Sequence, residues 1–209
     1  MSSIIIGLTG QSGAGKSTVS RVFTQEGFAV IDCDAVARRV TEAGSDCNRE
    51  LSEYFPECFD ESYVLDREKM ARIVFSDRES LELLERIEFK YITAEINRIV
   101  EELSEKSDYI VLDAPTLFEA GIDGSCDVTA AVLSDEQLRL GRIMQRDGVS
   151  AELAKKRFSS QHDEDFFREK CTLIIENNGT LAEAERSAQE AARTIKGMFG
   201  NACKDIKNS

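Results

Sequence analysis

Short, continuously apolar segments recur along the chain, and longer stretches with apolar residues at every third or fourth position separate them. A strand that is covered on both faces reads as an unbroken apolar run, which is the usual appearance of a parallel sheet. The pattern therefore predicts five buried parallel strands, at residues 4–9, 28–32, 109–115, 127–133 and 172–177.

The stretches between these strands have the period of an α-helix. Residues 16–26 place Val19, Val22 and Phe23 on one side of a helix, and residues 180–197 form an alanine-rich helical segment. Strands and helices alternate, which is typical of an α/β fold with a doubly wound parallel sheet.

Two intervals are too long to be simple crossover connections. Residues 40–105 contain helical patterns at 66–75 and 77–105 and lack a strand candidate, so they predict a helical insertion. Residues 134–170 are helical and rich in charge, and we expect them to form a lid. The prediction is a single domain of residues 1–209, with a core of about 1–40, 106–133 and 171–200, an insertion of about 41–105 and a lid of about 134–170.

Composition is consistent with one domain and restricts the partners. A chain of 209 residues, 42% of them hydrophobic, can bury one α/β core but is short for two independent domains. The 39 acidic residues outnumber the 26 basic ones, which gives a net charge of −13. Because nucleic-acid binding requires a cationic face, we predict no nucleic-acid partner.

Cysteine and histidine usage argues against a zinc site and for a reducing compartment. The six cysteines form no C-x-x-C pair, and His162 is the single histidine. No short apolar leader follows a basic start, and no stretch approaches the roughly 18 apolar residues of a membrane helix. We therefore expect a soluble, cytoplasmic protein with no membrane partner; the oligomeric state is open, with a monomer favoured.

The segment "GQSGAGKS" fits the phosphate-loop pattern G-x-x-x-x-G-K-[ST], with an apolar strand before it and a helix after it. Glycines let the backbone turn its N–H groups inward, and the helix adds its positive end. Lys16 would reach the β and γ phosphates of ATP, and Ser17 would hold Mg²⁺. The predicted phosphate-binding residues are Gly10, Ser12, Gly13, Ala14, Gly15, Lys16, Ser17 and Thr18.

A phosphate loop indicates a nucleotide but does not define a reaction. Regulatory GTPases need a guanine-reading N-K-x-D and transport ATPases an L-S-G-G-Q segment, and the chain has neither. A small kinase remains, which needs an acceptor hydroxyl, a carboxylate near it and cations over the transferred group. The alternative from another class is a non-catalytic protein that holds ATP without an acceptor.

Carboxylates follow two of the predicted strands. Asp32 ends the second strand and the next helix opens around Asp34, at the sheet edge where doubly wound folds bind ligands. Asp34 could equally be the N-cap of that helix. Asp113 ends the third strand and would hold Mg²⁺ directly or through water, or else it is a solvated acid at a strand end.

Six motifs together resemble the dephospho-CoA kinase family, from residue 4 to about residue 180. They are "IGLTGQSGAGKSTVSRVF", "VIDCDAVARRV", "LDRE", "DAPTLFE", "MQRDG" and "IIENNG". The resemblance implies transfer of a phosphate from ATP, with Mg²⁺, to the ribose 3′-hydroxyl of dephospho-CoA, the last step of coenzyme A synthesis. It also implies a nucleoside monophosphate kinase-like fold with a five-stranded core, a helical CoA domain and a mobile lid. Another nucleoside or nucleoside monophosphate kinase is the runner-up.

The resemblance also implies roles for individual residues. Asp34 would be the catalytic base, Asp32 would help with metal or orientation, and Arg38 would contact the phosphate of the acceptor. Arg142 would close over the ATP phosphates together with Lys16, and Arg146 matches a second lid arginine. Asn177 and Gly179 would lie by the adenine. The remaining acceptor-side matches are Asp113, Pro115, Phe118 and Glu119.

The chain departs from the family pattern in the helical insertion. Phe89 and Lys90 stand where the family usually has His-Pro, and the absence of this proline predicts an uninterrupted helix through 77–105. His162 lies in the lid and does not replace the missing histidine, so we expect it to be solvated. We expect the same of the lid side chains Arg139 and Arg157.

Overall fold

The computed structural model describes residues 3–158 and 161–200. Five strands form one parallel sheet in the order β2-β3-β1-β4-β5, which confirms the predicted fold class. Each strand lies at its predicted position, within two residues at either end. Their bounds are β1 Ile4–Gly10, β2 Ala29–Asp32, β3 Tyr109–Asp113, β4 Val128–Leu133 and β5 Leu173–Glu176.

Helices connect the strands, as the alternating pattern predicts. Two short 3₁₀ turns, Pro56–Cys58 and Ile122–Ser125, interrupt the longer connections. The helices of the described residues are α1 Lys16–Gln25, α2 Cys33–Val40, α3 Asp46–Tyr54, α4 Arg67–Val74, α5 Arg78–Ser104, α6 Glu136–Asp147, α7 Ala151–Phe158, α8 Glu164–Lys170 and α9 Leu181–Phe199.

The centre of the sheet contains the crevice that α/β folds use for ligands. β1 lies between β3 and β4, with Leu8 opposite Asp113 and Gly10 opposite Val132. After β1 the chain crosses to β2 at one edge of the sheet, whereas after β3 it crosses to β4 in the opposite direction. Strands that diverge in this way open a crevice at their carboxyl ends. The crevice between β1 and β3 therefore lies beside the phosphate loop and Asp113.

Helices α1 and α9 cover one face of the sheet. Val19, Val22 and Phe23 of α1 are buried in the sheet core, as the sequence predicts. Helix α9 contributes Ala188, Ala192 and other small residues to the same core. Small side chains let a helix approach its neighbours closely, and burial of this apolar surface stabilises the unit by roughly 25 cal/mol per Å².

The chain divides into two compact units, Met1–Ile31 with Glu102–Ser209, and Asp32–Glu101. The second unit has its own core, which includes Leu51, Phe55, Met70 and Ile87. The predicted insertion of residues 41–105, all of which the structure describes, consists of helices and the turns between them, with an isolated bridge between Phe59 and Leu65. Helix α5 runs without interruption through positions 89 and 90, which confirms the prediction from the missing proline.

Candidate active site

The phosphate loop connects the end of β1 to the start of α1. Gly10 has φ 149° and Gly15, the N-cap of α1, has φ 98°. A Cβ atom at Gly10 would lie 2.4 Å from the carbonyl oxygen of Val132, and one at Gly15 would lie 2.2 Å from Asn177 Nδ2. Only glycine fits both the backbone angles and the space. The loop leaves the N–H groups of Lys16 and Ser17 at the start of α1, where an α-helix has no partner for them.

Side chains hold the carbonyl oxygens of this loop. Asn177 Nδ2 donates to the Ala14 carbonyl at 2.6 Å. Arg142 donates to the carbonyls of Gly13 at 3.3 Å and Asn177 at 3.1 Å, and to Ser134 Oγ at 3.1 Å. The structure therefore brings both predicted residues to the loop, where their donors engage main-chain and hydroxyl oxygens. Three of the N–H groups in the predicted phosphate-binding set donate within the protein: Ala14 to the Gln11 carbonyl, Thr18 to the Gly15 carbonyl and Ser12 to Gln161 Oε1.

Lys16, Asp113 and Ser20 form a charged cluster where β1 and β3 end. Lys16 Nζ forms an ion pair with Asp113 Oδ1, and Ser20 Oγ donates to Asp113 Oδ2 at 2.5 Å. The Asp113 side chain is only 15% exposed, so it is not the solvated strand-end acid of the alternative interpretation. Sequence reasoning missed Ser20, although it lies one helical turn after Lys16 on the same face of α1.

The other residues of the loop differ in exposure. Ser17 is exposed at the start of α1, while Ser12 and Thr18 are half-buried. Ser12 contributes its backbone N–H to a hydrogen bond with the side chain of Gln161. Gln161, which sequence reasoning also missed, thus reaches the phosphate loop from the segment between α7 and α8.

In the unit Asp32–Glu101, the first turn of α2 separates the roles of the two aspartates. Asp32 is the N-cap of α2, and its Oδ1 accepts from the Ala35 N–H at 2.9 Å. The alternative that made Asp34 the cap is therefore wrong, and Asp34 lies exposed within the first turn. Arg38 is also exposed, with its NH2 group 3.9 Å from Asp32 Oδ2.

The turn after β3 carries the "DAPTLFE" motif and contacts β1, helix α8 and His162 just before that helix. The Pro115 carbonyl accepts from Thr9 Oγ1 at 3.1 Å. Phe118 packs edge-on against Phe166, with ring centroids 5.2 Å apart. Glu119 is exposed, and its Oε1 lies 3.5 Å from His162 Nε2.

Two predictions for the lid side chains were wrong. His162 is not merely solvated, because its ring stacks on Phe166 with centroids 3.6 Å apart. Arg139 is buried: its Nε donates to the Ser134 carbonyl at 3.0 Å and its guanidinium lies over the ring of Phe158. Burial lowers the pKa of Arg139 from its usual value. The side chain of Arg157 lies outside the described residues.

The remaining nucleotide-side residues follow β5 and α6. Gly179 is exposed and precedes Thr180, the N-cap of α9, which forms a capping box with Glu183. Arg146, at the end of α6, pairs with Asp147 at 2.7 Å. Neither arrangement engages the phosphate loop.

The cysteines of the described residues are free thiols, and Cys203 lies outside them. Burial raises the pKa of Cys47 and of Cys126 to about 12, and of Cys171 to about 11. Among the described residues, His, Cys, Asp and Glu form no group of three or more able to hold a metal ion. No helix in that part of the chain is both long and apolar enough to cross a membrane.

Comparison with known proteins identifies the family. The family model described as dephospho-CoA kinase matches residues 4–183. The chain belongs to the dephospho-CoA kinase family. A dephospho-CoA kinase from Fusobacterium nucleatum is 37% identical over 197 residues, covering 93% of this chain and 100% of that protein. One from Thermus thermophilus is 37% identical over 196 residues, covering 93% of each chain.

A solved structure supports the same assignment. The dephospho-CoA kinase from Campylobacter jejuni has a TM-score of 0.71 and 26% identity to this chain, over 94% of this chain and 98% of that one. The activity is therefore that of a dephospho-CoA kinase, an ATP-using enzyme of the final step of coenzyme A biosynthesis. The runner-up kinases and the non-catalytic nucleotide-binding protein are set aside.

Proposed function

We propose that ATP binds with its phosphates over Gly10–Thr18 and that dephospho-CoA presents its ribose 3′-hydroxyl to Asp34. The ATP-binding part of this proposal rests on the loop between β1 and α1. Its backbone conformation and close contacts admit only glycine at positions 10 and 15. A loop of this form, at the positive end of a helix, binds anions.

Lys16 is proposed to contact the transferred phosphate. In the structure its ammonium group pairs with Asp113, where β3 ends beside β1. A lysine at this position supplies a point charge to the equatorial oxygens of the γ-phosphate as negative charge develops. We propose that Arg142 shapes the loop through the Gly13 carbonyl and adds a second positive charge.

The residues around Lys16 fit a magnesium ion. Ser17 offers an exposed hydroxyl and Asp113 offers carboxylate oxygens, and both are the hard oxygen donors that Mg²⁺ prefers. Mg²⁺ usually completes its ligands with substrate phosphates and water, so these two side chains would supply only part of the coordination. When bound, the ion would neutralise charge on the β and γ phosphates.

Asp34 is proposed to be the general base. The 3′-oxygen attacks the γ-phosphorus in line, the bond from that phosphorus to the β–γ bridging oxygen breaks, and the hydroxyl proton passes to the Asp34 carboxylate. Because Asp32 supplies the helix cap, the Asp34 carboxylate is not needed for that purpose. Little covalent chemistry is required of the protein beyond positioning and charge.

The acceptor side is proposed to comprise Asp32, Arg38, Pro115, Phe118 and Glu119. Arg38 is 69% exposed and can turn toward an anionic substrate group. We propose that Asn177 and Gly179 flank the adenine, and that residues 134–170 act as a lid over a core of 1–40, 106–133 and 171–200, with 41–105 as the CoA-binding insertion. A closed lid keeps water from the γ-phosphate.

We also propose that the chain acts as a cytoplasmic monomer. The support for the compartment is that the cysteines of the described residues are free thiols, as is usual in a reducing environment. Light scattering of the purified protein would test the monomer.

Replacing Asp34 with Asn tests the base. A positioned general base contributes about 10²- to 10⁴-fold, so kcat for Asp34→Asn should fall by that factor while ATP affinity changes little. The measurement is acceptor-dependent ADP release with dephospho-CoA, alongside calorimetric binding of ATP.

Asp46→Asn is the matched control, because Asp46 also lies exposed in a first helical turn, that of α3. It should leave kcat unchanged. If Asp34→Asn keeps the kcat of the unmodified enzyme, Asp34 is not the base.

A further inference from the structure

The side chain of Gln161 contacts the phosphate loop directly. Its Oε1 accepts from the backbone N–H of Ser12 at 3.0 Å, across 149 positions of sequence. Because a backbone N–H can only donate, the atom of the glutamine amide that faces it must be the oxygen. Gln161 is half-buried, and its own N–H donates to the Phe158 carbonyl at the end of α7, which fixes the start of the side chain.

The neighbouring residue contacts the turn after β3. His162 Nε2 lies 3.5 Å from Glu119 Oε1, and the imidazole stacks on Phe166 at an interplanar angle of 9°. Phe166 in turn packs edge-on against Phe118. Two adjacent residues of the turn, Phe118 and Glu119, therefore contact the segment that contains His162 and Phe166. One contact is aromatic and the other is polar.

We infer that Gln161 and His162 are positioning residues. They connect the phosphate loop and the turn after β3 to one segment of the lid. The inference rests on the proposed function, which assigns ATP to Gly10–Thr18 and places Phe118 and Glu119 on the acceptor side. Neither residue is given a catalytic role, since each acts through the loop it contacts.

A shared segment makes the two substrates interdependent. When bound ATP holds Ser12 in place, it also holds Gln161 and the neighbouring His162 in place. The turn after β3 is then already ordered when dephospho-CoA binds. The binding of each substrate should then strengthen the binding of the other by the same factor, as linkage requires. Coupling of this kind is about 5- to 150-fold in proteins, and a single hydrogen bond within a wider set of contacts suggests the lower part of that range, about tenfold.

The test is calorimetric titration with a non-hydrolysable ATP analogue, with and without saturating dephospho-CoA. The unmodified enzyme should bind the analogue about tenfold more tightly when dephospho-CoA is present. In Gln161→Met, which has the size of glutamine but lacks the amide oxygen, the ratio should fall close to one. His162→Ala should reduce the same ratio, because it removes both the stack on Phe166 and the contact with Glu119.

Two further variants distinguish loss of the positioning contact from a non-specific effect of substitution on the enzyme. Gln161→Glu retains an acceptor oxygen for Ser12, so it should weaken analogue binding through its charge and yet keep most of the coupling ratio. Gln25→Met, exposed at the end of α1 and outside the lid, should behave as the unmodified enzyme. The inference is overturned if the unmodified enzyme shows no coupling, or if Gln161→Met and His162→Ala retain it.

Lys16→Met distinguishes a failure of this inference from a failure of the proposed function. Loss of analogue binding in Lys16→Met, together with undiminished coupling in Gln161→Met, would refute the positioning role alone. Full analogue binding in Lys16→Met would refute the nucleotide site itself.

Discussion

Backbone atoms make the critical contacts of the phosphate loop, whereas side-chain ion pairs connect the helices of the unit Asp32–Glu101. In the loop, the carbonyl oxygen of Val132 in β4 lies 2.4 Å from the position that a Cβ of Gly10 would take, and Asn177 binds the Ala14 carbonyl. In the helical unit, Glu95 joins Arg39 of α2 to Arg98 of α5. Backbone atoms cannot move aside, while exposed side chains can. We therefore expect substitutions to be far less tolerated in the loop.

The largest effect should come from Gly10→Ala. The new Cβ would meet the Val132 carbonyl oxygen at 2.4 Å and the Val132 nitrogen at 2.9 Å, on a backbone with φ 149°. Overpacking and backbone strain each cost roughly 1–3 kcal/mol, so the free energy of unfolding should fall by about 4 kcal/mol. Chemical denaturation followed by circular dichroism would measure the loss.

Gly148→Ala is the control for the Gly10 variant. Gly148 has φ 64° but no heavy atom within 4 Å of its added Cβ, so only the backbone term remains, about 1 kcal/mol. Equal losses in the two variants would show that the approach of Val132 is not what restricts the loop.

A proline in α5 should produce the next largest effect and tests the helical unit. Lys90 lies in the interior of a 27-residue helix, so Lys90→Pro removes a backbone hydrogen bond and costs about 3 kcal/mol. Lys90→Ala loses the 2.5 Å contact with Glu50 and the position of the ammonium group over the Tyr91 ring, from a lysine side chain that is 59% exposed, and should cost far less than the proline. Denaturation curves of both variants make the comparison, and equal stability would mean that α5 is not continuous at this point in solution.

The features that were predictable from sequence are those with local signals. Continuous apolar runs located the strands, and the glycine and lysine spacing located the phosphate loop, because both patterns act within a few residues. The cap of α2 was ambiguous for the same reason: Asp32 and Asp34 are both good N-cap residues, and only the backbone geometry selects Asp32.

The features that sequence reasoning missed depend on contacts between distant segments. Arg139 reads as one more charge on a helix, and its burial depends on the Ser134 carbonyl and on Phe158 of a later helix. The contact of Gln161 with Ser12 joins residues 149 positions apart, and no local pattern marks it. His162 precedes α8, and no local pattern marked its stacking on Phe166, four positions later.

The smallest effect should be the pH-dependent loss in Glu95→Gln, which tests how much the side-chain contacts of the helical unit contribute. Hydrogen bonds from Arg98 and from Arg39 lower the pKa of Glu95 to about 2, from an ordinary value of 4.5. A carboxylate whose pKa is lower in the folded state stabilises it fully above the unfolded value and loses this contribution as the pH falls toward the folded value. Glu95→Gln should therefore cost up to about 1 kcal/mol at pH 7, and the difference should shrink as the pH is lowered from 4.5 toward 2.

Thermal melts of both proteins across this range would measure the difference, with Glu101→Gln, exposed on the same helix, as the control. A difference that stays constant with pH would mean that Glu95 contributes packing or neutral hydrogen bonds and not charge. The phosphate loop and the unit Asp32–Glu101 would then differ only in how exposed their contacts are to solvent. A difference that shrinks in acid, as expected, would assign the connection between α2 and α5 to ionic contacts that salt should also weaken.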